Sequence, residues 1–165
     1  INPKKLSKSF NNIDAIVVAP GFGDRGINGK ILAVEYARIN KIPFLGICLG
    51  MQIAVIEFAR NVMNYPDANS SEMNLNSKYK VIDLMEEQKK VKKMGGTMRL
   101  GSSICKLKKG SLIRSIYGSE TISERHRHRY EFNNKYLSEF IKKGFIPSGL
   151  NEKLNLVEIL SLIHI

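Results

Sequence analysis

Cysteine is scarce. The chain has two, Cys48 and Cys105, far apart and in unlike settings. That is too few for a disulfide framework, and the expected compartment is a reducing, cytoplasmic one. Histidine is nearly as rare: His126, His128 and His164 are the full set, which leaves few candidates for a catalytic base. No apolar run approaches the length of about 18 residues that a membrane span takes. The opening INPKKLSKSF has no apolar core of the kind a secretory signal carries. It also has no initiator Met, so the start is read as cut short. RNP, KH and zinc-finger patterns are all missing. One sign of charge dominates, with 26 Lys and Arg against 15 Asp and Glu, a net +11. Such a balance permits a nucleic-acid or membrane-surface partner. The lysines are spread along the whole chain, however, and the expectation is a generally basic surface with neither nucleic acid nor membrane as partner.

What is present reads as a soluble globular domain. The 165 residues are 43% hydrophobic and 25% charged, and that length suits one domain of ordinary size. IDAIVVAP (Ile13–Pro20) and KIPFLGIC (Lys41–Cys48) are short β-branched or apolar runs, expected as buried parallel strands. Each is followed by a helical pattern. Lys30–Asn40 places Ile31, Val34, Ala37 and Ile39 at roughly helical spacing. GMQIAVIEFARNVM places Met51, Ala54, Val55, Phe58 and Val62 on one face. The glycine-rich GFGDRGING between the first strand and first helix is expected as a loop. This alternation predicts an α/β fold, with a mostly parallel sheet flanked by helices. Further on, NYPDANSSEMNLNSK reads as loop. YKVIDLM, TMRLGSSICKL, RHRHRYEF and NLVEIL read as strands, and NKYLSEFIKKG as a helix stopped by Gly144.

In Gly46-Ile47-Cys48-Leu49-Gly50 a thiol stands where a strand turns into a helix. The Gly-x-nucleophile-x-Gly elbow has the same pattern: small residues where strand and helix pack closely, and a reactive side chain above the strand's carboxyl end. A helix N-terminus brings positive partial charge to the sulfur, which favours thiolate. The N–H of Leu49, the residue after the nucleophile, could donate to an oxyanion. The plainer alternative is a buried structural cysteine in a turn. Cys105, in SSICKLKKG, has no flanking glycines and is expected in the core. The loop PGFGDRG lacks the Gly-Lys-Ser/Thr ending of a phosphate-binding P-loop.

PFLGICLGMQ resembles the nucleophile turn of class I, triad-type glutamine amidotransferases. VAPGFGDRG (Val18–Gly26), MGGTMRLG (Met94–Gly101) and ERHRHRYEFNN (Glu124–Asn134) narrow the likeness to the glutamine amidotransferase domain of the CTP synthases, over about Ile13 to Ile159. The resemblance implies a flavodoxin-like α/β domain, incomplete at both ends, that takes L-glutamine as substrate. It implies Cys48 as the nucleophile that attacks the side-chain amide, releasing ammonia and leaving a glutamyl thioester. Gly21 would line the oxyanion and glutamine site, and Leu49, Gly50, Met51 and Gln52 would complete the turn that holds the substrate. Glu72 would meet the α-ammonium and Arg129 the α-carboxylate. The chemistry agrees, since a zwitterion asks for one fixed anion and one fixed cation, and a guanidinium fork suits a carboxylate. On a strand, Arg125, Arg127 and Arg129 would share one face and His126, His128 and Tyr130 the other. A metal site at His126 and His128 is the rival reading.

The family's thiol works with a His-Glu pair from a His-Pro-Glu motif, and this sequence has no such motif. A cysteine nucleophile needs a base to shuttle its proton, so the fragment itself is expected to turn over little or no glutamine. LSLIHI (Leu160–Ile165) can be encoded by a transposon end used to build sequencing libraries, and is read as a non-native tail on a partial domain of residues 1–159. The resemblance further implies a missing strand-helix-strand portion and a missing synthase domain of the same polypeptide. That domain would bind ATP and magnesium and aminate UTP, within a homo-tetramer; the fragment itself is expected to carry no cofactor. Competing readings are another cysteine-dependent α/β amidotransferase, a non-catalytic glutamine-binding or regulatory module, and a basic nucleic-acid binder.

Overall fold

The computed structural model describes Phe10, residues 12–85, Gln88 and residues 98–162. Met94–Thr97 of MGGTMRLG, most of the charged stretch before it, and His164 lie outside the described residues. The chain separates into two compact units, the first running to Ile82 and the second from Asp83.

The first unit alternates strand and helix. Strand β1 (Ile16–Val18) pairs in parallel with β2 (Phe44–Gly46), Ile16 opposite Phe44 and Val18 opposite Gly46. Between them runs α1 (Ile27–Asn40). It begins inside the segment expected to be loop, because Gly26 takes a left-handed conformation (φ 74°) and turns the chain into the helix with no side-chain cap. Ile27, Ile31, Ala33, Val34 and Ala37 face the core, whereas Ile39, grouped with them on spacing, is exposed. Lys41, also left-handed, ends the helix, its N–H donating to Ala37 O.

Helix α2 (Leu49–Asn61) is buried over nearly its whole circumference, from Leu49 through Ala59. The one-sided pattern expected for it is therefore too narrow. A helix apolar all round belongs in an interior, and Ile53, Ala54, Val55, Ile56 and Ala59 supply that. One charge is buried with it. Glu57, 1% exposed, takes three hydrogen bonds from Arg38 of α1 (2.7–3.1 Å) and another from Asn61 Nδ2. This pins the two helices together. A two-residue strand, β3 (Asn69–Ser70), follows and pairs in parallel with β4 (Lys80–Asp83). Strands β1 and β2 are less buried than expected: Val17 and Leu45 are more than half exposed.

The second unit is built differently. Strands β5 (Arg99–Leu107), β6 (Thr121–His128), β8 (Phe145–Asn151) and β9 (Leu156–Leu162) form an antiparallel sheet in the order β6-β5-β8-β9. The expected parallel pairing thus holds for the first unit, whereas the strands of the second pair antiparallel. Helix α3 (Leu112–Tyr117) links β5 to β6, capped by Ser111 Oγ, which accepts from Arg114 N–H. The short β7 (Glu131–Phe132) and a 3-10 turn (Asn134–Tyr136) lead into α4 (Leu137–Lys142), which stops at left-handed Gly144 as expected. Cys105, Leu107 and Ile122 form a core with Ile113 and Ile159 packed against it. Phe140, fully buried, stacks edge-on to Phe132 (5.1 Å) and tilted to Phe145 (6.0 Å). Leu160–Leu162 continue β9 opposite Phe145–Pro147, with Ser161 and Ser148 sharing a hydrogen bond of 2.7 Å. Among the described residues no helix is long and apolar enough to cross a membrane.

Candidate active site

Cys48 stands between the end of β2 and the start of α2, with φ 54° and ψ −106°. A non-glycine residue at positive φ is strained, and such strain gathers at functional sites. Three backbone bonds hold it there. Ile47 N–H donates to Val18 O of β1 (3.0 Å), Gly50 N–H to Ile47 O (2.9 Å), and Gln52 N–H to Cys48 O (3.2 Å). The flanking glycines are explained by space. A Cβ on Gly50 would lie 2.1 Å from Val18 O, and one on Gly46 would lie 2.6 Å from the Gly50 carbonyl. Neither position has room for a side chain, so strand and helix can approach closely enough to make the elbow only with glycine at both. Cys48 is half-buried, its sulfur neither sealed in the core nor fully in solvent.

Around the elbow the first unit assembles most of the residues singled out in sequence. Gly21 packs on the residue after the nucleophile: a Cβ on it would touch Leu49 Cδ2 at 3.0 Å. Among the described residues no acceptor takes the N–H of Leu49 or of Gly21, so both remain available to an oxyanion. Met51 is half-buried and Gln52 buried, both in the first turn of α2. Glu72 lies in the turn after β3, its N–H donating to Ser70 Oγ (3.2 Å). Its Oε1 accepts from Gly23 N–H at 3.3 Å, across 49 residues of chain. The carboxylate is thereby tied to the same loop that carries Gly21, and it remains exposed enough to meet a cation. Lys30, which the sequence did not single out, also overlies this loop, its Nζ 3.9 Å from the Cβ position of Gly21. Its signal was present, as a single cation one helical turn into α1, but a lone surface lysine carries little information.

Arg129 belongs to the second unit, in the turn between β6 and β7, and is half-buried. The alternation expected along RHRHRY holds in part. Arg125 and Arg127 are exposed, and His126 and His128 turn to the opposite, more buried face. Strand β6 then ends at His128, which releases Arg129 from the row of its fellow arginines. The two imidazoles bond each other, His126 Nδ1 to His128 Nε2 at 2.8 Å.

Cys105 is 1% exposed in β5. Burial, reinforced by the Glu158 carboxylate, pushes its thiol up to about 11. A thiol so hard to ionise is a poor nucleophile, which agrees with the core placement expected for it.

This chain is similar to known proteins. The family model for class-I glutamine amidotransferases matches residues 2–164. A CTP synthase of Chlorobaculum parvum is 59% identical over 157 residues, covering 95% of this chain and 28% of that protein. A CTP synthase of Cytophaga hutchinsonii is 61% identical over 149 residues, again 28% of its length. Among solved structures, the Trypanosoma brucei CTPS glutaminase domain with bound acivicin superposes with a TM-score of 0.86 at 39% identity, over 94% of this chain and 59% of that one. The chain thus spans a little over a quarter of the curated relatives it matches. With a family model matched over nearly its full length and a cysteine elbow to go with it, the chain belongs to the class-I glutamine amidotransferases.

Proposed function

We propose that the chain is the glutamine-hydrolysing part of a CTP synthase. The observation that carries this is the Cys48 elbow: a thiol held at positive φ on a helix N-terminus, with two glycines that nothing larger can replace. The relatives, CTP synthases by name, support the substrate class.

The proposed reaction gives each group one role. The Cys48 sulfur attacks the side-chain amide carbon of glutamine. Charge builds on the amide oxygen, where the N–H groups of Leu49 and Gly21 receive it. Collapse of the tetrahedral species breaks the C–N bond, releasing ammonia and leaving a glutamyl thioester, which water hydrolyses to glutamate. Glu72 meets the substrate's α-ammonium and Arg129 its α-carboxylate; Gly50, Met51 and Gln52 shape the turn. The base that shuttles the proton is, in the family, the histidine of a His-Pro-Glu motif, which this sequence does not contain. Ammonia then serves the ATP- and Mg-dependent amination of UTP in a synthase domain of the same polypeptide, working as a tetramer in the cytoplasm. The described residues hold no group of three His, Cys, Asp or Glu that could carry a metal, and PGFGDRG is not a P-loop.

Alkylation of Cys48 tests the reading without demanding turnover. Iodoacetamide should modify Cys48 before Cys105, and millimolar glutamine, but not asparagine, should slow it; acivicin should add to Cys48. Slow alkylation unaffected by glutamine would overturn the reading. Protection by glutamine in a whole protein that carries the His-Pro-Glu motif yet fails to hydrolyse glutamine would favour the non-catalytic binding module, the second reading that the missing motif supports.

A further inference from the structure

The second unit holds five ionisable side chains in one nearly dry cluster that the reaction above does not use. Arg99 of β5 donates from Nη2 to Glu158 Oε1 (2.5 Å) and Ser103 Oγ (2.5 Å), and from Nη1 to Glu158 Oε2 (3.2 Å) and Glu131 Oε1 (3.4 Å). Asn151 Nδ2 donates in turn to Ser103 Oγ (2.8 Å). The side chains of Arg99, Glu131 and Glu158 are 9%, 4% and 5% exposed. Beside them lie the bonded imidazoles of His126 and His128. His126 Nε2 faces Glu158 Oε2 at 3.5 Å, and His128 Nδ1 faces Glu131 Oε1 at 3.3 Å. Both nitrogens are buried without a completed hydrogen bond. The cluster closes on itself: Glu131, His128, His126, Glu158, Arg99, and back to Glu131.

Proton counting constrains this ring. Between the two imidazoles, one nitrogen must donate and the other accept. Each neutral histidine then has one proton, so one of the two outward nitrogens is bare. A bare nitrogen facing an ionised carboxylate is repulsive; facing a protonated one, it accepts a hydrogen bond. Arg99 reaches Glu158 through two bonds, at 2.5 and 3.2 Å, but Glu131 through one contact at 3.4 Å, so the bare nitrogen is better placed against Glu131. Hence the favoured order is Glu131 O–H to His128 Nδ1, His128 Nε2–H to His126 Nδ1, and His126 Nε2–H to Glu158. Three protons are shared over four groups, and with Arg99 the cluster is neutral, as a buried site requires. Burial supports this order: it holds the Glu131 carboxyl up to about 7 and, with the neighbouring imidazole, holds His128 down to about 4. His126 is likewise lowered, chiefly by burial. Glu124 on β6 adds a weaker field at His126, and Cys105 on β5 lies beyond Glu158.

We infer that this ring is a proton-ordered clamp that positions Arg129. His128 and Glu131 bracket the turn Arg129–Tyr130, so both ends of the turn are fixed through the ring. When Glu131 ionises, the order reverses: His128 carries its proton on Nδ1 toward Glu131, and the bare nitrogen passes to His126 Nε2, facing the carboxylate that Arg99 already pairs. The hydrogen bond next to Arg129 thus changes with the ring's proton count. The role given to Arg129 rests on the glutamine reading above; the ring itself does not. Glu131, His126 and His128 are positioning residues, since none need touch substrate.

Nitrogen-15 spectra of the histidines in the 165-residue chain, taken with Cys48 alkylation, test this. In the wild type both imidazoles should be neutral and protonated on Nε2 between about pH 4 and 7, and should switch together to Nδ1 as the pH rises past about 7. Glu131→Gln, whose amide N–H imitates the protonated acid, should hold the neutral Nε2–H form as the pH rises past 7 and keep the glutamine concentration for half-protection of Cys48 within twofold of wild type. Glu131→Ala should raise that concentration at least tenfold. Histidines that titrate independently, or a folded Glu131→Ala chain with unchanged protection, would overturn the clamp. Should Glu131→Ala fail to fold, the wild-type and Glu131→Gln spectra still decide. Absence of glutamine protection in the wild type would overturn the glutamine reading and with it the role of Arg129, while the spectra separately judge the ring.

Discussion

The two thiols of this chain make a controlled comparison. Both lie close to glycine: Cys48 between Gly46 and Gly50, Cys105 against Gly149, where a Cβ would come within 2.7 Å of its sulfur. At Cys48 the glycines bring a strand and a helix together and push the sulfur out of the turn at positive φ. At Cys105 the glycine lets a neighbouring strand close over the sulfur and seal it at 1% exposure. Close packing by glycine is common to both. What differs is the backbone at the cysteine itself, and that decides whether the thiol is presented or buried.

The comparison breaks most severely at Gly50. Gly50→Ala would drive a Cβ into Val18 O, a backbone atom that cannot step aside, so the elbow must open. A cost of about 3 kcal/mol or more is expected, at the upper end for overpacking, read as a lowered denaturation midpoint together with lost glutamine protection at Cys48. Arg38→Ala comes next, leaving the Glu57 carboxylate buried without its cation. Because Arg38 is itself a quarter exposed, a loss of about 2 kcal/mol is expected, below the 3–5 typical of fully buried pairs. Cys105→Ser puts a hydroxyl into an apolar core and should cost about 1–3 kcal/mol while leaving acivicin labelling intact. Cys48→Ser should do the reverse, abolishing labelling with little change in stability. A chain in which both serine variants lost labelling alike would erase the distinction.

The smallest effect is a change of slope with pH. Glu131 holds its proton more tightly in the folded chain, so its contribution is full below its ordinary value of 4.5 and is lost as pH rises through about 7. His128 and His126 are lowered, so theirs is present above 6.5 and is lost as pH falls, for His128 through about 4. Between about 4.5 and 6.5 the two trends oppose. Glu131→Gln removes one of them, and its stability, followed by urea unfolding, should fall more steeply than that of the wild type as pH drops from 6.5 towards 4.

Much of the first unit was legible along the chain. GICLG could be read as an elbow because each element it needs, strand end, glycines, thiol and helix start, lies within five residues. The halt of α4 at Gly144 is local in the same way. The start of α1 was not legible: Gly26 begins the helix by its left-handed backbone rather than by a capping side chain, and so resembles the loop glycines before it. Nor was the tie between Glu72 and Gly23, which joins residues 49 apart. The His-Glu-Arg ring was invisible for a stronger reason. Its members come from β5, β6, β7 and β9, and no spacing rule along one strand relates Arg99 to Glu158.

The sequence by itself determined the elbow and the alternation of strand and helix around it, because those depend on interactions among neighbours and on two periodicities. Tertiary structure decided which face of α2 was buried (nearly all of it), how the later strands paired, and which carboxylates are buried beside the two histidines. Those outcomes depend on which distant groups are excluded from water together, and charge in a dry interior is settled by the set of partners and not by any residue alone.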